Sequence, residues 1–238
     1  MAYLYTKNKF LSLIVIVLFC PIFFSCNIDV TLRENENLTY GITVNVTGSR
    51  EIEEAMHGVL KLVDARAIFD QGAIVDKLTK SKANDISVTT TSLCNLNASF
   101  VTETVSDLFP EKNSLITHEK NITTITLDEQ TVNDCLAMLP DESLTVLDLL
   151  SAPIFTQENL GEEEYLQNIS VLYGENIVNL LKPGTITLSF KSQKPVKSAK
   201  SEPSDFATCD VKKNEVKFTI PLVKLLCLRE RLLLTISR

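Results

Sequence analysis

Glu54 and His57 stand three residues apart in Glu54-Ala55-Met56-His57, the spacing that sets two metal ligands on one face of a helix. A di-metal bundle needs that pair twice, plus two carboxylates from other helices, and the chain supplies it once. The expectation is therefore a surface histidine beside an apolar stripe, with no metal site. The other histidine, His118, falls at the end of an expected hairpin, in Ile116-Thr117-His118-Glu119. Glu162, Glu163 and Glu164 open an expected helix, where negative charge is favourable against the N-terminal dipole. A glycosidase would need two carboxyls held across a cleft, which adjacency does not supply. No G-x-S-x-G, H-E-x-x-H or P-loop pattern occurs, so serine hydrolase, zincin and nucleotide-binding readings lose their usual support. Lys191, Lys194, Lys197 and Lys200 punctuate a polar stretch with two prolines. It reads as an exposed loop or linker, although lysines near anionic lipid contribute about 1 kcal/mol each.

The elements that must position these residues belong to a 238-residue chain, 45% hydrophobic and 22% charged, which is a globular composition. Its net charge of −7 becomes more negative once residues 1–25, which carry only Lys7 and Lys9, are set aside. An acidic surface releases no counterions from phosphates, so nucleic acid is not an expected partner. Two histidines, no tryptophan and seven glycines leave little material for metal cages or phosphate loops, and no cofactor is expected. Six cysteines are present: Cys20, Cys26, Cys94, Cys135, Cys209 and Cys227. None of the last four has a metal-ligand spacing. In an exported protein they form buried free thiols or up to two disulfides, with three possible pairings.

The start of the chain carries the strongest signal. Lys7 and Lys9 precede an apolar run from Phe10 to Phe24, then Ser25-Cys26, which is the layout of an export signal. The run, interrupted by Pro21, is shorter than the ~20 residues a spanning helix needs. Phe23-Phe24-Ser25-Cys26 resembles a bacterial lipobox, in the relaxed form associated with spirochaete membrane lipoproteins; Phe23 and Phe24 stand where Leu and a small residue are usual. The resemblance implies cleavage before Cys26 and palmitate-type acylation of it, with stable membrane attachment when more than one chain is added. Five N-x-S/T sequons, at Asn37, Asn45, Asn97, Asn121 and Asn168, would mark glycans only in a eukaryotic secreted protein.

Beyond Cys26, alternation predicts a strand over 38–47. Ile52, Met56, Val59, Leu60 and Val63 then predict an amphipathic helix capped by Ser49, followed by a short helix over 72–80. Strands are expected over 86–92, 96–105, 114–118 and 122–127, the last two forming a hairpin around Glu119-Lys120-Asn121. Helical patterns follow over 128–150 and after Gly161, with Gly174 at a helix end. Strands close the chain at 185–190, 216–220 and 232–237. Runs of helix and runs of strand predict an α+β fold, an antiparallel sheet packed with several helices.

A strand that begins just after the lipid cysteine, Val30-Thr31-Leu32 through Val46, then a helix, then a strand series from Asp85 to Val101 resembles in layout the LppM-like domain of actinobacterial lipoproteins over residues 28–128, through Val30, Leu32, Gly41 and Val44. That resemblance implies envelope association and names no catalytic residue. The expected organisation is a signal peptide over 1–25, a lipidated N-terminus and short linker over 26–37, and an ectodomain over 38–238 with a possible subdivision near 128. The expected role is that of a membrane-anchored envelope lipoprotein, facing periplasm or surface, attached through Cys26 and acting without catalysis by binding or by supporting assembly with an envelope protein. A carboxylate-dependent envelope hydrolase, or a lipid or ligand carrier with a pocket lined by Phe100, Phe109 and Phe155, are the alternatives.

Overall fold

In a computed structural model of the chain, the described residues are 27–36, 39–51, 53–54, 57, 69–103, 115–128 and 160–238. Eleven strands and four helices have described bounds. β1 (Asn27–Glu34), β2 (Tyr40–Thr47), β3 (Asn84–Ser92), β4 (Asn95–Thr102), β7 (Thr185–Lys191), β9 (Thr208–Lys212) and β10 (Glu215–Pro221) form one sheet, in the order β3-β4-β2-β1-β7-β10-β9. A second sheet orders β5 (Ile116–Glu119), β6 (Ile122–Leu127), β11 (Leu232–Ser237) and β8 (Ser198–Glu202) as β5-β6-β11-β8. The helices are α1 (Gln71–Lys80), α2 (Glu162–Tyr173), α3 (Glu175–Leu181) and α4 (Leu222–Leu226).

The α+β expectation is thereby corrected. Two sheets dominate the described chain, the helices are few, and the larger sheet is mixed because β1 and β7 run parallel. Three strands account for much of the difference. Residues 27–34, expected within a linker, are the fourth strand of seven. β8 falls inside the lysine-rich stretch expected as a loop, and β9 is exposed at every position. Local alternation of apolar residues is faint in β8 and β9. What makes them strands is ladder pairing with β11 and β10, partners about thirty and a few residues away, which satisfies backbone groups that no local signal announces.

Strand alternation builds one continuous core between the sheets. β1 turns Ile28, Val30 and Leu32 inward, β2 Ile42, Val44 and Val46, β7 Ile186, Leu188 and Phe190, and β10 Val216, Phe218 and Ile220. The second sheet answers with Ile125 and Leu127 from β6 and Leu232, Leu234 and Ile236 from β11. The β1–β7 and β6–β11 pairings join strands from either side of residue 128. On the outer face of the larger sheet, Ser87, Ser99, Thr43, Thr31 and Ser189 lie in register across five adjacent strands. β-branched and small polar residues suit that face because they fit a pleated surface without burying charge.

The three glutamates occupy the first turn of α2, and its end is set by Gly174. There φ is 86°, a conformation that favours glycine, and its N–H donates to the Ser170 carbonyl at 2.8 Å. The β5–β6 hairpin turns at Lys120, with φ 55°. Apart from Asp128, the helical patterns expected over 128–150 lie outside the described residues, as do most of the helix expected after Ser49 and the signal peptide. The described start of that helix, at Arg50, shows a backbone bond from the Glu53 N–H to the Ser49 carbonyl of 3.1 Å.

Candidate functional site

The inner files of four strands change from apolar to polar at the same end of the slot between the sheets. β1 ends its inward series on Glu34, β2 begins its own on Tyr40, and the series of β7 and β11 run on to Ser192 and Arg238. Arg238 Nη1 pairs with Glu34 Oε1, and the two side chains keep only 11% and 13% of their surface exposed. The second Glu34 oxygen accepts from Ser192 Oγ at 3.0 Å and from the Gln193 N–H at 3.2 Å. Arg238 Nη2 donates to Thr123 Oγ1 at 3.0 Å, and the guanidinium carbon lies 5.9 Å from the centre of the Phe190 ring. A nearly buried ion pair holds only when hydrogen bonds offset its desolvation. Here the carboxylate is fully engaged, while Arg238 Nε has no partner.

His118 joins this cluster from the hairpin of the second sheet. Its Nδ1 lies 2.9 Å from Thr123 Oγ1 and its Nε2 lies 2.8 Å from Tyr40 Oη. The two rings are stacked, 5.9 Å apart and 8° from parallel. Either neutral tautomer satisfies both contacts, because both hydroxyls can donate or accept. Partial burial holds the imidazole below its usual pKa, the Arg238 charge adds to that, and Glu34 opposes it. Burial raises the Tyr40 phenol, with Glu34 adding to it and Arg238 opposing it. A lowered imidazole and a raised phenol form a neutral hydrogen bond at pH 7, not an activated nucleophile and base. With Thr123 fully buried, the Tyr40-His118-Thr123-Arg238-Glu34 chain is a seam fastening one sheet to the other.

Beside the seam lies an open depression of about 500 Å³ lined by Arg33, Glu34, Lys191, Lys212, Lys213 and Glu215, with the turn at Ser192-Gln193 and Asn214. A smaller one, about 300 Å³, lies between Glu162, Pro203, Phe206, Lys224, Cys227 and Arg229, with Asp205 and Glu230 at its rim. It carries three carboxylates, but Asp205 lies within 4.0 Å of Lys224 Nζ. The Cys227 thiol on its wall is pushed up to about 12, first by burial and then by Glu162, with Arg229 opposing.

The residues singled out in the sequence are scattered. Glu54 accepts from Arg50 Nε at 3.0 Å, and Glu54 and His57 are both exposed. Among the described residues, no group of three or more His, Cys, Asp or Glu side chains is placed to hold a metal ion. Cys94, Cys209 and Cys227 are free thiols. Cys94 is buried and its thiol is pushed up to about 12, chiefly by burial and then by Glu53, whereas Cys209 is exposed on β9. Cys26 and Cys135 lie outside the described residues. So do Phe109 and Phe155, and Phe100 is packed in the core at 2% exposure instead of lining a pocket. Of the sequon residues, Asn45 and Asn97 face each other across β2 and β4 and share a hydrogen bond.

The seam leaves little trace in the sequence. Its only local signal is a polar residue at the inward parity of a strand end: Glu34 after Leu32, Arg238 after Ile236. No helix among the described residues is long and apolar enough to cross a membrane. Compared with protein-family models, with curated proteins and with solved structures, the chain matches none.

Proposed function

We propose that the protein is a membrane-anchored envelope lipoprotein that acts by binding, held to the membrane by acyl chains on Cys26. The observation that carries the reading is the position of β1. It begins at Asn27, the residue after Cys26, and it is the middle strand of the larger sheet. An anchor at Cys26 is then joined to the centre of the fold without a flexible tether. The seam and its neighbouring depression sit at the other end of that strand, six to seven residues away, or about 20 Å at ~3.3 Å per residue. Such an arrangement presents that end to a partner in the envelope.

The test is intact mass spectrometry of the mature N-terminus, with membrane fractionation, for wild type and Cys26→Ala. Acyl mass on Cys26 and loss of membrane association in the variant are expected. A chain that begins elsewhere, or is unmodified at Cys26, would sink the reading.

A further inference from the structure

We infer that the depression beside the seam is a binding site for an oxyanion of the phosphate class, held by Arg33, Lys191 and Lys213. The register sets it up. Arg33 pairs with Lys191 across the parallel β1–β7 ladder, Lys191 with Glu215 across β7–β10, and Glu215 with Lys212 across β10–β9. These four side chains share the outer face of the sheet at one end, and Lys213 adjoins them in the β9–β10 turn. Arg33 and Lys191 are like charges placed directly opposite each other, which destabilises a sheet. The chain as a whole is acidic, so carboxylates to relieve that repulsion are plentiful in its composition.

Among the described residues Glu215 alone is set against that pair, opposite Lys191 across β7–β10, and it closes no ion pair; opposite Arg33 stand Lys191 and Gly41. Arg33, Lys191 and Lys213 make no ion pair among the described residues, and Lys212 makes only a long contact, 3.8 Å, to Asp210. Glu34, the nearest inward carboxylate, is already engaged by Arg238, Ser192 and Gln193. Four cations therefore surround a 500 Å³ space with Glu215 as the one carboxylate not already paired. A guanidinium presents a planar fork that matches two oxygens of a phosphate, and lysines add point charges beside it. A bound oxyanion removes the Arg33–Lys191 repulsion that the free protein carries.

The same chemistry is offered by a free phosphate compound and by a lipid headgroup. The site lies about 20 Å along β1 from Asn27, more than twice the ~8 Å screening length at physiological salt, which favours the free compound over the leaflet that would hold Cys26. That choice of source rests on the anchoring proposed above; the site itself does not.

The experiment uses the chain with Cys26→Ala, so that no lipid is attached, titrated calorimetrically with inorganic pyrophosphate. Saturable one-to-one binding that weakens with added salt is expected. Lys191→Gln with Lys213→Gln should weaken it about tenfold or more, while Lys182→Ala, at the opposite end of β7, leaves it unchanged. Arg33→Gln should also weaken binding while leaving the thermal midpoint of the free protein unchanged or raised, since it relieves a like-charge pair; a lost midpoint would separate misfolding from loss of the site. In a parallel arm, vesicles of phosphatidylcholine with and without phosphatidylglycerol are sedimented with the same proteins. Pyrophosphate binding without vesicle binding assigns the free compound; vesicle binding that pyrophosphate displaces and the double lysine variant loses assigns a headgroup. Absence of saturable binding in both arms, or binding that survives the double variant, overturns the site whether or not Cys26 is acylated.

Discussion

Two regions hold the sheets together, and they do so by opposite means. Along most of the slot, Phe190, Phe218, Ile220, Leu234 and their neighbours exclude water and gain by burial alone. At the Glu34 end the same strands bring together a carboxylate, a guanidinium, an imidazole, a phenol and two hydroxyls. The apolar region tolerates many arrangements of similar volume, because burial is not directional. The polar seam tolerates one, because each of its groups has a particular partner at hydrogen-bond distance. The difference teaches that stability and alignment are separable here. The interior supplies most of the free energy, and the seam fixes how β5, β6 and β11 sit over β1 and β2.

The largest break in that comparison is expected from Phe218→Ala in the interior. It removes a fully buried ring and should cost about 4 kcal/mol, read as a lower denaturation midpoint with an unchanged denaturant slope. A smaller loss, about 2 kcal/mol, is expected for Glu34→Gln, which leaves the Arg238 guanidinium nearly buried without its counter-charge. Adding Arg238→Met should recover much of that loss, and a double-mutant cycle reads the coupling. If the double variant is as unstable as the single, the seam works by shape and not by charge pairing.

The smallest effect is expected from His118, an exposed residue at the end of β5. Its pKa lies below the usual value in the folded protein, so the unfolded chain takes up the proton first as pH falls. Stability contributed by the neutral ring is therefore complete above about pH 6.5 and declines as pH drops below it. Protonation turns both ring nitrogens into donors and sets a positive charge near Arg238. His118→Gln should flatten this slope in chemical denaturation measured from pH 7 to pH 5, and an unchanged slope would remove His118 from the seam.

Much of this was legible in the sequence. The strands at Thr185–Lys191, Glu215–Pro221 and Leu232–Ser237 lie where period-two alternation places them, and the hairpin turns at the expected Lys120-Asn121, because a half-buried strand writes its inward face into every second residue. The export-type start and the Ser25-Cys26 junction are also properties of the sequence alone. The fold class departs from the α+β expectation because β1, β8 and β9 owe their strand state to partners. Asn27–Glu34 carries inward Ile28, Val30 and Leu32, yet its charged neighbours make it resemble a linker until β2 and β7 pair with it on either side. The tertiary structure alone decided that Glu34 and Arg238, 204 positions apart, meet in one buried contact, and that Arg33 stands opposite Lys191. The sequence sets which face each residue takes along its own strand, since that follows from backbone geometry; which strands become neighbours depends on long-range pairing and shared burial, which no local pattern encodes.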